Sequence, residues 1–219
     1  MKTFVVIGIG RFGSAVAKKL CELGHEVLAI DDDEARIQDI TESVTHAVIA
    51  DAKEERVLRS LGVRNYDCAI LAIGSDIADS VLITLALKEL GLKEIICKAG
   101  ELRHKKILLK IGADRVIIPE YESGTKLAIQ IANLNLIEYL ELTEKYGLSE
   151  MNIPKRWVSR TLVDLNLRRK YGVTVVAVKQ ETEDDDINML PSPDYKFCEG
   201  DILVLIGKRE DIDEISHIT

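Results

Sequence analysis

The sequence predicts an α/β protein in two parts, a doubly wound parallel sheet followed by a small α+β domain. Two observations support this prediction. Short apolar runs alternate with helical patterns up to about Ile118, and this rhythm changes after Pro119. Apolar strands without polar alternation, separated by helices, are typical of a parallel sheet that is covered on both faces.

Six strand-like runs build the predicted sheet. Helical patterns fill the intervals between them, at roughly 12–22, 33–43, 53–61, 76–90 and 102–111. The runs end at about Ile7, Ile30, Ala50, Ile73, Lys98 and Ile118.

The second part begins with a long helical pattern from about Ser123 to Asn135, which leads away from the sheet. Beyond it we expect strands near 138–143, 148–153, 173–179 and 201–206, and helices near 161–171 and 210–215. The acidic segment 181–186 is expected to be an exposed loop. The predicted domains are therefore 1–137, which includes the long helix, and 138–219.

The composition argues against several classes of protein. The formal net charge is −8, whereas nucleic-acid and anionic-membrane surfaces need clustered Lys and Arg. No apolar run approaches the roughly 18 residues of a spanning helix, and the first residues lead into a strand rather than a signal peptide. The four cysteines form no C-x-x-C pair, which favours reduced thiols over a zinc site. We expect a cytoplasmic protein without direct membrane insertion.

The most informative motif is a G-x-G-x-x-G between the first strand and the first helix, followed about 20 residues later by an acid, Asp31, at the end of the second strand. This context is that of the nucleotide-binding fingerprint of Rossmann proteins. Its glycines allow a tight turn, and the helix N-terminus offers unpaired N–H groups to a phosphate. The motif consists of Gly8, Ile9, Gly10, Arg11, Phe12 and Gly13.

Further candidates follow the strands, because ligands of an open parallel sheet bind outside the carboxyl ends of its strands. Asp31, with Asp32 beside it, is placed for ribose hydroxyls, although it could instead help to cap the next helix. Asp51 and Ala52 could meet an adenine edge, and Asp51 could alternatively cap the helix near Lys53. The remaining candidates are Ile73, Gly74 and Ser75 after strand four, Lys98 after strand five and Glu120 after strand six.

Two of these candidates have equally simple structural roles. Lys98 either attracts phosphate or is a solvated strand end, and Glu120 either serves a ligand or ion or only starts the long helix. The charges nevertheless discriminate between ligands. Three consecutive acids, 31–33, would repel the 2′-phosphate of NADP. Arg11 and Lys98 suit a terminal di- or triphosphate at least as well as the pyrophosphate of a dinucleotide. No P-loop sequence is present.

Evidence for catalysis is thin. The histidines, His25, His46, His104 and His217, form no catalytic spacing with a carboxylate or cysteine, and we expect each to be structural or solvated. A second part of about 80 residues offers few groups for acid–base chemistry. The sequence therefore favours a nucleotide that acts as a signal. An NAD-dependent oxidoreductase and a free-standing NAD(H) redox sensor are the alternatives.

The predicted helix 76–90 is more apolar than one sheet face requires. Its apolar residues lie on several sides, so the helix is either deeply buried or part of an oligomer interface. They are Ile77, Val81, Leu82, Leu85, Ala86 and Leu90.

Five segments carry a family resemblance: V-V-I-G-I-G-R-F-G, G-H-E-V-L-A-I-D, T-H-A-V-I-A-D-A, I-G-A-D-R-V-I-I-P-E and D-L-N-L-R-R-K-Y-G-V. They closely resemble the RCK (KTN) regulatory proteins of bacterial Ktr and Trk potassium transport systems. The first segment is shared with many Rossmann proteins, whereas the R-F-G ending and the last two segments are far more specific. The resemblance covers essentially the whole chain, with the C-terminal RCK_C (TrkA-C) module from about residue 138.

The resemblance implies a cytoplasmic gating ring, usually of eight RCK subunits, at the inner face of the membrane beneath a separate potassium-translocating subunit. The chain looks more like the KtrA type, regulated by ATP and ADP, than the NAD-responsive TrkA type. The resemblance places Arg11 at the terminal phosphates, Asp31 at the end of strand two and Glu120 near an inter-subunit cation, either divalent or sodium. It also implies that the C-terminal module can bind cyclic di-AMP, with no residues assigned.

Overall fold

The computed structural model describes residues 1–74, 76–132, 135–180 and 187–218, and for Gln130 the backbone alone. The chain divides into two compact units, 1–121 and 122–219. Two predictions lie outside the described residues: the site residue Ser75 and the acidic segment 181–186. No helix among the described residues has both the length and the apolar character to cross a membrane.

The first unit is a six-stranded parallel sheet with strand order β3-β2-β1-β4-β5-β6. The order reverses between β1 and β4, which creates the crevice where ligands of doubly wound sheets bind. The Rossmann fold class is thereby confirmed. Its elements are β1 (Thr3–Ile7), α1 (Arg11–Glu22), β2 (Glu26–Asp31), α2 (Glu34–Ile40), β3 (His46–Ile49), α3 (Glu55–Ser60), β4 (Cys68–Leu71), α4 (Ile77–Glu89), β5 (Ile95–Lys98), α5 (Leu102–Ile111) and β6 (Arg115–Ile117).

Both faces of this sheet are buried, as its unalternating apolar strands predict. Successive side chains of a strand point to opposite faces, so neighbours such as Val5 and Val6 enter different cores. Val6 packs in a core that includes Ile37 of α2, whereas Val5 packs in a core that includes Leu58 of α3 and Leu87 of α4. The strands of this sheet are therefore packed between two hydrophobic cores.

The second unit contains an antiparallel five-stranded sheet of order β10-β9-β11-β8-β7. Its core includes Met151, Trp157, Leu203 and Ile215. The small α+β domain is thereby confirmed. The elements after β6 are α6 (Pro119–Ala132), β7 (Leu136–Glu141), β8 (Tyr146–Asn152), α7 (Leu162–Leu165), α8 (Leu167–Tyr171), β9 (Thr174–Gln180), β10 (Ile187–Met189), β11 (Asp201–Lys208) and α9 (Arg209–Ser216).

Several boundaries differ from the sequence-based expectation, and three of these differences affect the architecture. The helix expected at 161–171 is two short helices, because Asn166 between them is left-handed, with φ of 44°. The long helix α6 begins at Pro119 instead of near Ser123, and proline is favoured at a first helical position. From Glu122 onward α6 groups with the second unit, whereas the division at 137/138 assigned the whole helix to the first.

Candidate nucleotide-binding site

The glycine loop joins β1 to α1 through a close backbone contact. Gly8 has φ of +90°, a conformation that favours glycine. A Cβ added to Gly13 would lie 1.9 Å from the carbonyl oxygen of Gly8, so no other residue fits there without movement of α1. Gly10 precedes α1 in an extended conformation, and a Cβ there would meet no atom within 4 Å. Gly8 and Gly13 thus shape the turn, whereas the space beside Gly10 is open.

Asp31 ties the end of β2 to this loop. Its carboxylate accepts the Ile9 N–H at 2.5 Å and the Asp33 N–H at 2.9 Å, and the residue is 5% exposed. Asp33, rather than Asp31, caps α2, since its side chain accepts the N–H groups of Ala35 and Arg36. Each carboxylate oxygen can accept more than one hydrogen bond, so Asp31 keeps capacity for a ribose hydroxyl.

A cavity of about 390 Å³ lies at the carboxyl ends of the central strands. It collects much of the predicted site from five separate segments of the chain. The predicted residues that line it are Gly8, Gly10, Asp31, Asp32, Asp51, Ala52, Ile73, Gly74 and Lys98.

Five predicted residues are described but do not line the cavity. The Ile9 side chain is buried in the core below the glycine loop, while its N–H reaches Asp31. Arg11 is exposed at the first position of α1. Phe12 and Gly13 follow in the first turn, and the Lys98 Nζ lies 5.9 Å from the centre of the Phe12 ring. Glu120, the fifth, is in the first turn of α6.

Lys98 is held at the rim of the cavity by several contacts. Its Nζ donates to the Glu120 carboxylate at 2.7 Å, and this hydrogen bond holds the pKa of Glu120 below its usual value. The aliphatic stem of Lys98 passes close to Gly74, where a Cβ would lie 3.3 Å from Cε. Because only 17% of the Lys98 side chain is exposed, it is not a solvated strand end.

No group of three His, Cys, Asp or Glu side chains suited to a metal ion occurs in the part of the chain that the structure describes. The Glu120 carboxylate has Lys98 as its neighbour instead. A cation at Glu120 would need Lys98 displaced, or further negative ligands brought in by a nucleotide or another subunit.

Lys53 forms ion pairs across one side of the cavity. Its Nζ lies 3.5 Å from the carboxylates of both Asp51 and Asp79, and these charges raise the pKa of Lys53. Its backbone N–H donates to Asp51 at 2.9 Å. Helix α3 begins only at Glu55, after Glu54, so Asp51 orders the strand-to-helix turn and is not the cap of the helix.

Several cavity residues were not predicted from the sequence. Arg36, in the first turn of α2, lies 3.5 Å from Asp31 and balances its charge. Lys53 immediately follows Asp51 and Ala52, a sequence signal that could have identified it. The cavity residues that sequence reasoning missed include Arg36, Lys53, Asp76, Asp79 and Ile83. The site therefore combines an acidic side, near Asp31 and Asp51, with a rim carrying Lys98 beside the glycine loop.

Comparison with known proteins gives the family. The TrkA-N domain model matches residues 4–119, and the TrkA-C domain model matches residues 148–219. The chain is 44% identical over 211 residues to the Ktr system potassium uptake protein A of Bacillus subtilis, which covers 96% of this chain and 94% of that protein.

Solved structures agree with this fold. The GsuK channel superposes with a TM-score of 0.71 at 17% identity, over 99% of this chain and 39% of that longer chain. GsuK bound to ADP gives a TM-score of 0.53 at 21% identity, over 59% of this chain and 34% of that one. GsuK bound to NAD gives a TM-score of 0.50 at 23% identity, over 98% of this chain and 38% of that one. The resemblance found in the sequence motifs is confirmed: the chain belongs to the family of RCK proteins that join a TrkA-N domain to a TrkA-C domain.

Proposed function

We propose that this protein is a nucleotide-sensing regulatory subunit of a potassium channel or transporter, and that ATP and ADP compete for the cavity of the first unit. The observation that carries the proposal is the meeting of the glycine loop, Asp31 and Lys98 in one cavity of a KtrA-like chain. Asp31 would accept ribose hydroxyls. Lys98, and Arg11 at the start of α1, would face the phosphates.

An adenine nucleotide suits the distribution of charge around this cavity. Asp51 beside Ala52 offers carboxylate and backbone groups to the adenine edge, and the acids on that side disfavour a 2′-phosphate. The ADP-bound and NAD-bound GsuK structures support adenine nucleotides as a class. NAD(H) is therefore the second candidate ligand, as in a Trk-type regulatory subunit.

A regulatory role is favoured over catalysis. The Bacillus subtilis relative is named as a potassium uptake protein. Among the described cavity residues the titratable groups are carboxylates, lysines and one arginine, without a histidine or cysteine. An NAD-dependent oxidoreductase, which the Rossmann fold alone permits, would need such a proton-transfer group beside its substrate.

The mechanism we infer is a shift between two conformations of a ring. Nucleotides change such an equilibrium only by the difference in their affinity for the two states, and a ligand with equal affinity shifts nothing. ATP and ADP differ only in their terminal phosphate, so Arg11 and Lys98 are the residues through which that difference would act. The ring would be a homo-oligomer, an octamer built from RCK dimers, at the inner face of the membrane and bound to a separate membrane subunit.

Two further ligands belong to the same proposal. A divalent or sodium ion near Glu120 would compete with Lys98 for the carboxylate, so cation binding and release of Lys98 to a phosphate would be coupled. Cyclic di-AMP would bind the C-terminal module. Binding of the cation and of cyclic di-AMP is tested by titrating the full chain with each of them, in the presence and in the absence of ATP.

The experiment that tests the function is potassium flux. The full chain is reconstituted with a Ktr-type membrane subunit in vesicles, and potassium flux is measured with ATP, with ADP and without nucleotide. We expect the flux to differ between ATP and ADP, and the difference to disappear in Asp31→Asn. Equal flux under all three conditions, with the complex intact, would contradict the proposed function.

A further inference from the structure

We propose that His104 is a positioning residue of the nucleotide site, because its buried imidazole connects α4 with the loop that follows β5, and cavity residues lie next to both. Gly74 lies between β4 and α4, and Lys98 is the last residue of β5, directly before the loop that leads into α5. The inference rests on the nucleotide function proposed above.

The imidazole of His104 has a hydrogen-bond partner on each side. Its Nε2 lies 2.6 Å from the Ser80 hydroxyl of α4, and its Nδ1 accepts the N–H of Gly100 at 3.4 Å. His104 is 1% exposed and Ser80 is fully buried. A single side chain therefore connects the beginning of α4 with the turn that follows β5.

The hydrogen-bond network assigns the tautomer. Ser80 has one hydroxyl proton, and its Oγ donates that proton to the carbonyl of Ile77 at 2.9 Å. Nε2 of His104 must then be the donor to Ser80, and Nδ1, unprotonated in the neutral ring, accepts from Gly100. Burial lowers the pKa of His104, which favours the neutral ring that this arrangement needs. A proton on Nδ1 would instead confront the Gly100 N–H with a second donor.

Both ends of this connection reach the cavity. Gly100 lies against the carbonyl oxygen of Gly74, only 3.1 Å from where a Cβ would be, and it follows Lys98 by two residues. Ser80 follows directly after Asp79, which lines the cavity and pairs with Lys53. Loss of either His104 hydrogen bond would therefore release backbone that lies next to Gly74 or Lys98.

A second buried contact nearby serves as a natural control. Thr84 donates to the carbonyl of Ser80 at 2.7 Å and lies 3.4 Å from the Cys97 sulfur. It joins α4 to strand β5, one helical turn after Ser80. Loss of the Thr84 hydroxyl would loosen the core without releasing Gly100.

The test uses two variants that each retain one half of the imidazole contacts. In His104→Asn the side-chain oxygen can replace Nδ1 toward Gly100, and in His104→Gln the side-chain nitrogen can replace Nε2 toward Ser80. Because each variant breaks the connection, we expect calorimetry to show a loss of ADP affinity of roughly tenfold, the effect of one hydrogen bond. Adenosine, which lacks phosphates, should lose much less, and Thr84→Val should lower the unfolding midpoint while leaving ADP affinity unchanged.

The possible outcomes separate the inference from the proposed function. Absence of ADP binding by the unaltered chain would contradict the proposed function itself. ADP binding that is equal in the unaltered chain and both His104 variants, or weakened as much by Thr84→Val, would overturn the positioning role alone. Nitrogen NMR of the unaltered chain, labelled at histidine, gives a readout that needs no variant to fold. We expect His104 to be neutral and protonated on Nε2, and protonation on Nδ1 would overturn the inference.

Discussion

At the scale of single residues, Asp31 has two roles that the sequence does not separate. It accepts the Ile9 N–H and so holds the glycine loop, and it also lines the cavity. Arg36 at 3.5 Å compensates its buried charge. A ligand hydroxyl would meet a carboxylate that is already oriented, and such charge-assisted hydrogen bonds are stronger than neutral ones.

Replacement of Asp31 by Asn therefore tests the ribose contact. The amide keeps the shape of the carboxylate and loses its charge, so affinity for any adenine nucleotide should fall by about 1–3 kcal/mol. The matched control is Asp67→Asn at the opposite end of the sheet, where Asp67 accepts the N–H of Thr3 at 3.0 Å. Calorimetric titration of both variants with ADP decides the matter, and unchanged affinity in Asp31→Asn would remove Asp31 from the site.

At the scale of elements, the turn from β1 to α1 uses its glycines for different purposes. Gly13 has no room for a Cβ, whereas Gly10 has open space around it. The first is needed for packing of α1 on β1. The second leaves room where a phosphate would approach the N-terminus of α1.

The two glycines should respond differently to substitution by alanine. Gly13→Ala should destabilise the fold by about 1–3 kcal/mol, the usual cost of overpacking, and weaken nucleotide binding as well. Gly10→Ala should leave the unfolding midpoint nearly unchanged and still weaken ATP binding, because its methyl group would point into ligand space. Denaturant unfolding and ATP titration of both proteins measure this. Full ATP affinity in Gly10→Ala would argue against phosphate binding at the loop.

Much of the element order follows from the sequence, because the apolar runs and the helical patterns between them mark it clearly. The structure differs where a local conformation overrides periodicity: Asn166 splits a helix with its positive φ, and Pro119 starts α6 early. Strand β10 was not predicted, since the three residues of Ile187–Met189 form too short a run to stand out.

The site divides in the same way between what the sequence predicts and what it does not. Asp31, Asp51 and Lys98 were predictable because they end parallel strands, whose carboxyl ends share one edge. Arg36 was not, because its presence depends on the direction in which a helical side chain extends. His104 was expected to be structural or solvated, and its link to Gly100 and Ser80 depends on how α4 packs against α5.

At the scale of the whole molecule, α4 has two apolar faces. One is buried, with Ile83 and Leu87 in the core, while Ile77, Leu82 and Leu85 are 42%, 54% and 43% exposed. From the sequence, this helix was either deeply buried or part of an oligomer interface. In the structure it has one apolar face in the core and another apolar face that is exposed. Neighbouring α5 adds exposed apolar residues at Leu102, Ile107 and Leu109. Soluble monomers rarely leave large apolar patches uncovered, and closed symmetric assembly commonly buries them.

We therefore predict a stable homo-oligomer, and specifically an octamer built from dimers. Light scattering at low micromolar concentration should give a mass several times that of one chain, and the double variant Leu82→Lys with Leu85→Lys should lower it. Leu23→Glu is the matched control, since Leu23 is an exposed leucine at the end of α1. A single-chain mass for the unaltered protein, with and without ATP, would contradict both the oligomer and the ring mechanism.

The central claim is that ATP and ADP are the signal. Calorimetric titration of the full chain with ATP, ADP, AMP and NADH tests this claim most directly. We predict that ATP and ADP bind more tightly than AMP and NADH, and that Arg11→Ala reduces the advantage of ATP over AMP, because Arg11 stands at the start of α1 beside the glycine loop. NADH binding tighter than both ATP and ADP would instead support the NAD(H)-responsive alternative, and binding of none of the four nucleotides would contradict the account altogether.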